Sequence, residues 1–258
     1  MIRTLILRIL SRLSRWLHPP LTLEIAPTAK VIQGAGVRLK GTIRVGENAV
    51  LIIGEQVQFS GDLNIGEGCK VTIGDRCEFS NISITLLDKS EWVMGADCIC
   101  DAPAAFPNKI WLENGRLEMN DHVRIQAEIL VRFGGVLRMG TWSSINYLSE
   151  IRCEEQITIG EYCLFSYEVC IYDTNTHSVN WQERRERIPL RGAEIKRPGT
   201  KPVWIGDDVW IGKGASILKG ATIGSKSIIG MRTSVPAGVY PEGSRIVSPK
   251  PILLNNPN

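Results

Sequence analysis

At 258 residues the chain is long enough for one sizeable domain or two small ones, and a solenoid, which grows by adding coils, needs no split at all. A formal net charge of only +3 argues against a dedicated nucleic-acid binder. Seven cysteines are an odd number, and Cys98-x-Cys100 lacks a second pair for zinc, so a reducing cytoplasm is the expected compartment.

The first twenty residues, MIRTLILRILSRLSRWLHPP, form a separate element. Ile2, Leu5, Ile6, Ile9, Leu13, Trp16 and Leu17 recur at helical spacing, with Arg8, Arg12 and Arg15 on the opposite face. Pro19 and Pro20 end the helix. About 17 residues carrying several arginines make a poor transmembrane span. No uninterrupted apolar core or small-residue cleavage site marks a signal peptide. Two readings stay open: a basic amphipathic helix lying in an anionic membrane interface, or one packing its apolar face on the protein or a neighbouring subunit.

From Leu21 onward the periodicity changes. VGENAV at 45, IGEQVQF at 53, IGEGCK at 65 and IGDRCEF at 73 are four starts of one theme. Val45 and Ile65 lie twenty residues apart, as do Ile53 and Ile73, and Met119, Met139 and Ile159 repeat the interval. Their hexad partners are Ile125 and Val131, Ile145 and Ile151, Phe165 and Ile171. A coil of twenty carries two residues more than three hexads, which places the surplus at one corner. Cys69, Cys77 and Cys163 fall on the small-residue phase, where a free thiol packs as a small hydrophobe. The segment 101–109, with Pro103 and Pro107, reads as a local excursion.

No hexad fits from Tyr172 to Pro202. A loop this long inside a repeat array is usually functional or disordered, and this one is not low-complexity. It carries His177, Trp181 and a basic excess that includes Arg184, Arg185, Arg187, Arg191, Lys196, Arg197 and Lys201. Between Val203 and Val235 the repeat becomes strict. Ile205, Ile211, Ile217, Ile223, Ile229 and Val235 share one phase; Val209, Ala215, Ala221, Ser227 and Thr233 share the other. A period of six fits neither a helix nor a simple strand. It fits a chain wound into a three-sided coil with the aliphatics pointing inward.

This stretch resembles the carboxy-terminal coils of hexapeptide-repeat acyltransferases, in particular the acetyl-CoA-dependent sugar O-acetyltransferases. The resemblance implies an all-β solenoid, a left-handed parallel β-helix, assembled as a homotrimer with active sites between subunits. The expected organisation is an amphipathic helix over 1–20, a β-helix domain over 21–240 with its loop excursion at 172–202, and a tail over 241–258.

Three histidines are candidates for chemistry. His18 ends the amphipathic helix, and His122 sits in a turn-like segment that reads as a solvated corner. His177 lies on the long loop, where functional groups concentrate when a rigid scaffold holds them. Enzymes of the resembled type carry an Asp-x-Asp/Asn-x-His-Ser segment, an arginine pair, and a return as Pro-Val-x-Ile-Gly. Here these are Asp173, Asn175, His177 and Ser178; Arg184 and Arg185; and Pro202, Val203, Ile205 and Gly206. The resemblance implies His177 as general base, with Asp173 orienting the imidazole and Asn175 holding the acceptor. A neutral imidazole suits this because a sugar hydroxyl barely ionises unaided. It further implies acetyl-CoA as co-substrate, with Trp210 near the reacting end and Gly212, Lys213, Gly230 and Met231 along the pantetheine arm. Arg232 and Lys219 would meet the phosphates. The family's Gly-Asn-Pro-Ala-Lys turn is missing from the tail, so contacts to the adenine end do not carry over.

The implied acceptor is a carbohydrate or glycolipid, a surface polysaccharide or its precursor, handled in the cytoplasm or on the inner face of the plasma membrane. No metal is expected, because the histidines lack the close spacing of the γ-type carbonic anhydrases that share the fold. No Gly-x-Ser-x-Gly motif is present and Cys170 has no local base, which disfavours a covalent acyl-enzyme. The alternatives are a transferase of another acyl group or a non-catalytic, membrane-attached scaffold.

Overall fold

The computed structural model describes residues 21–103, 108–187 and 197–248. The amphipathic helix expected over 1–20 lies outside the described residues. The rest winds as a three-sided solenoid in which neighbouring strands of successive coils run parallel, in agreement with the fold expected from the resemblance. The first side is a sheet of ten strands, from Lys30–Gln33 to Gly238–Tyr240. The second and third sides are continuous in the early coils, as in Arg38–Val45 and Gln58–Ile65, and bend at glycine. Gly41, at φ 93°, makes that bend; a Cβ there would stand 2.0 Å from the Gly61 carbonyl oxygen. In the later coils the two sides separate into short strands such as Leu164–Phe165 and Cys170–Tyr172, or Trp210–Ile211 and Ser216–Ile217.

The hexad phases become the core. The strict-phase residues Ile205 to Val235 are all buried, and the small phase from Val209 to Thr233 fills the inward corners beside them. Each fully buried aliphatic stabilises the stack by about 1.5–3 kcal/mol. Six of the cysteines are buried and Cys170 is half-buried, all as free thiols. Cys77, Cys98 and Cys163 donate S–H bonds to the carbonyls of Gly95, Asn120 and Gly206 one coil on. Ser143 does the same with its hydroxyl, at 2.7 Å from the Gly160 oxygen.

Ile73-Gly74-Asp75 and Ile205-Gly206-Asp207 lead into the corner between the first and second sides, with Met119-Asn120-Asp121 at the equivalent place. The glycine is needed for close approach: a Cβ on Gly160 would lie 2.6 Å from the Gly206 carbonyl carbon. The acid ties coils together. Asp75, Asp121 and Asp207 accept the N–H groups of Glu55, Ala96 and Glu161 from the coil before.

The two surplus residues of each twenty-residue coil sit at the corner between the third and first sides. The long loop leaves from that same corner. Ile157 and Ile159 pair with Val203 and Ile205 in the register that Leu137 and Met139 use with Ile157 and Ile159, so the insertion leaves the stack undisturbed. At the far end, Arg245–Ile246 pairs with Ile228–Ile229, carrying the solenoid into the segment assigned from sequence to the tail. There a half-buried Tyr240 replaces the expected aliphatic, which hides the coil from a hexad search. Among the described residues no helix is long and apolar enough to cross a membrane.

Candidate active site

The loop is anchored by a buried polar knot. Asp173 is fully buried, and its carboxylate accepts the backbone N–H groups of Glu154, Glu155 and Gln156, each at 2.8 Å. These three belong to the equivalent corner one coil earlier, so the aspartate clamps one turn onto the next. Burial pushes the Asp173 carboxyl above its ordinary range, while the N–H donors of the corner pull it down. Asp173 was expected from the resemblance to orient the imidazole. Among the described residues its hydrogen bonds run to the corner and none to His177, because that corner leaves three adjacent N–H groups without a strand partner.

Beyond Asp173 the two limbs of the loop pair briefly. Thr174 and Thr200 form an antiparallel bridge, the Asn175 N–H donates to the Gly199 carbonyl at 3.1 Å, and the Lys201 N–H donates to the Asp173 carbonyl at 2.8 Å. The chain then turns sharply. The His177 N–H donates to the Asn175 carbonyl at 2.7 Å around Thr176, whose φ is 61°. That pairing is the pattern of a γ-turn with a positive central φ, a rare and strained form. It leaves His177 exposed.

A short helix α1, Trp181–Arg187, follows. Asn180 caps it by accepting the Gln182 N–H at 3.0 Å, the usual role of Asn at this position. Arg184 reaches back to donate to the Ser178 carbonyl at 2.7 Å, and the Arg185 guanidinium lies 5.4 Å from the centre of the Trp181 ring. The His-Ser and Arg-Arg pairs of the resemblance therefore share one substructure.

The residues expected to hold the coenzyme divide into two groups. Trp210 projects from the second side, half-exposed at 51%. Gly212 and Lys213 form the corner after it, with Gly230, Met231 and Arg232 at the same corner one coil on. The Arg232 N–H donates to the Lys213 carbonyl at 2.8 Å, Lys213 pairs with Glu168 at 3.0 Å, and Met231 is 63% exposed. A Cβ on Gly212 would meet the Met231 nitrogen at 2.8 Å, so the glycine keeps these coils in contact. Lys219 stands apart from this group. It sits at the loop corner, its Nζ 3.4 Å from the Gly199 carbonyl oxygen. Within one chain, then, Asp173, Asn175, His177 and Lys219 gather at one corner, and the other coenzyme candidates gather one side away.

Three participants were not singled out from sequence: Arg132, Glu154 and Thr174. Glu154 is fully buried, paired with Arg132, and accepts the Thr174 hydroxyl at 2.8 Å. Nothing in the spacing marks one of the Glu154-Glu155 doublet as inward. Leu164 stands beside Trp210 on the second side, and Trp142 and Tyr162 stand at the corner that precedes it, each more than half exposed. His122 stacks on Trp142 with ring centroids 4.0 Å apart, far from the loop in chain order and at a different corner. Burial pushes the Cys170 thiol up, which works against a thiolate nucleophile there.

Among the described residues the fold is a parallel β-solenoid of hexad coils interrupted by a long loop after Tyr172. Residues 202–237 match the family model described as Bacterial transferase hexapeptide (six repeats). No curated protein matches the chain in sequence. Among solved structures, the polySia-specific acetyltransferase NeuO aligns over 87% of this chain and 84% of its own, at 16% identity and a TM-score of 0.44. The polysialic acid O-acetyltransferase OatWY aligns over 92% and 94%, at 15% identity and a TM-score of 0.40.

Proposed function

We propose that the protein is an acetyl-CoA-dependent O-acetyltransferase that acts on a sugar hydroxyl of a surface polysaccharide or its precursor, by direct transfer with His177 as general base. The observation that carries this reading is the loop itself: an exposed imidazole on a tight turn, held by a buried anchor at a corner of a rigid solenoid. The hexapeptide transferase match over 202–237 adds to it.

In this reading His177 takes the proton of the acceptor hydroxyl as its oxygen attacks the thioester carbonyl. The new C–O bond forms, the C–S bond breaks, and the imidazolium returns its proton to the departing thiolate. Backbone N–H groups at a corner suit the tetrahedral oxyanion. Trp210 and Met231 offer exposed surface for the pantetheine arm, with Lys213 and Arg232 beside them for charge. Because His177 and this group lie at different corners of one chain, the complete site requires a neighbour, as in a homotrimer that sets the loop of one subunit against the second side of the next. The amino-terminal segment would hold the enzyme at the cytoplasmic membrane face.

The test combines acetyl-CoA with a panel of nucleotide sugars and glycans, read by mass spectrometry, followed by kinetics on the acceptor found. His177→Ala should lower kcat by ~10²–10⁴-fold, the usual worth of a positioned base, with acetyl-CoA affinity little changed. Trp210→Ala should instead raise the KM for acetyl-CoA, and His122→Ala should stay within about a few-fold of wild type. A fully active His177→Ala enzyme removes the mechanism.

A further inference from the structure

We infer that Arg132, Glu154 and Thr174 form a buried relay that positions His177, with Thr174 as the residue through which it acts. The inference rests on the reading of His177 as the base.

The relay begins with a carboxylate removed from water. Glu154 is fully buried, and such a charge persists only when it is paired and hydrogen-bonded. Arg132 supplies the charge through Nη2 on one carboxylate oxygen. The arginine's Nε is itself buried without a hydrogen-bond partner, so its polar role at this site is the Glu154 carboxylate. The other oxygen accepts the Thr174 hydroxyl at 2.8 Å.

That bond fixes the direction of the hydroxyl. An ionised carboxylate only accepts and a backbone N–H only donates, so Thr174 must give its proton to Glu154 and turn a lone pair to its second partner. The second partner is the Thr176 N–H, at 3.1 Å. Thr176 is the strained residue of the turn: β-branched, at φ 61°, a conformation that is an outlier for such side chains. Strain of this kind persists when the surrounding structure over-determines it. The hydroxyl of Thr174 grips the amide of the residue immediately before His177, and the His177 N–H closes the same turn. What Glu154 holds in the core is therefore the direction in which the chain delivers the imidazole.

Kinetics and amide exchange together test this. Misplacing a reacting group by about 1 Å can cost ~10²-fold in rate. Thr174→Val, which keeps the shape and loses the hydroxyl, should lower kcat by roughly 10–100-fold while the KM for acetyl-CoA stays within about twofold. Thr174→Ser should recover most of the loss, which a purely space-filling role would not produce. Amide hydrogen exchange resolved to Thr176 should be slow in the wild type, fast in Thr174→Val and slow again in Thr174→Ser. If the valine variant does not fold, Thr174→Ala carries the same expectations. Wild-type kcat in the hydroxyl-less variant, equal loss in valine and serine, or unchanged exchange at Thr176 would each overturn the relay. The exchange arm needs no acceptor and decides the case alone if the glycan panel yields none. A fully active His177→Ala enzyme with accelerated Thr176 exchange in Thr174→Val would sink the base and keep the relay as the device that holds the turn.

Discussion

Replacing Asp173 by Asn separates a structural clamp from a catalytic partner. The two carboxylate oxygens divide three N–H groups, one taking Glu154 and the other taking Glu155 and Gln156, all at 2.8 Å. Asn keeps the shape but retains one oxygen. Its best orientation preserves the pair of bonds to Glu155 and Gln156 and turns an NH₂ toward the Glu154 N–H, donor against donor. One charge-assisted bond is lost, worth about 1.5–3 kcal/mol, and one donor is left unpaired at about 1–3 kcal/mol. The easier burial of a neutral amide offsets part of this, for a net destabilisation of about 2–4 kcal/mol. In a domain of this size each kcal/mol shifts the melting temperature by about 2–4 °C, so Asp173→Asn should melt roughly 4–16 °C lower. Amide exchange at 154–156 should rise with it, since solenoid coils depend on their immediate neighbours. The assay is a thermal melt paired with exchange on the same samples. A variant that melts like wild type, keeps 154–156 protected and still loses turnover would refute the clamp and return Asp173 to the imidazole.

Two further outcomes are expected. The second side carries Leu164 and Trp210 in the open, with Trp142 and Tyr162 at the corner before it, and exposed apolar surface of this kind marks interaction sites; light scattering at micromolar concentration should give a homotrimer, and a monodisperse monomer would contradict the intersubunit site. Deleting residues 2–17 should abolish co-sedimentation with anionic liposomes while leaving turnover near normal. If the full-length protein ignores such liposomes, or the deletion disrupts assembly, the segment packs on protein instead.

The solenoid was legible because its constraint is local and repeated. An inward aliphatic and a small corner residue recur at the same phase from coil to coil, joined in several coils by a glycine with no room for a Cβ and an acid that takes the previous coil's N–H. The match at Ile205 through Val235 is strongest where the coils have eighteen residues, and it fades where two more enter at a corner. It fails at the last turn, where Tyr240 stands in an aliphatic position and Arg245–Ile246 still pairs. Periodicity reads side chains, whereas the strand ladder is made by the backbone.

The long loop obeys the opposite logic. His177 was legible as the one histidine on a non-repetitive excursion, and the motif around it was legible by resemblance. The partners of its neighbours were not. Asp173 serves N–H groups at positions 154–156, and Thr174 serves a carboxylate at 154, pairings set by the coil-to-coil stack across about one turn of chain. A period of twenty predicts which corners lie above one another, yet it does not say that a glutamate at such a corner turns inward. That choice follows from Arg132, which lies one coil further back and offers its guanidinium Nη2 to the carboxylate. The corner that already accommodates two surplus residues per coil is thus also the one that can hold a buried charge pair and let the chain leave. The insertion enters and returns there without shifting the register of the strands on either side. Scaffold and loop meet at that corner, where Asp173 from the motif and Arg132, Glu154 and Thr174 from outside it join them.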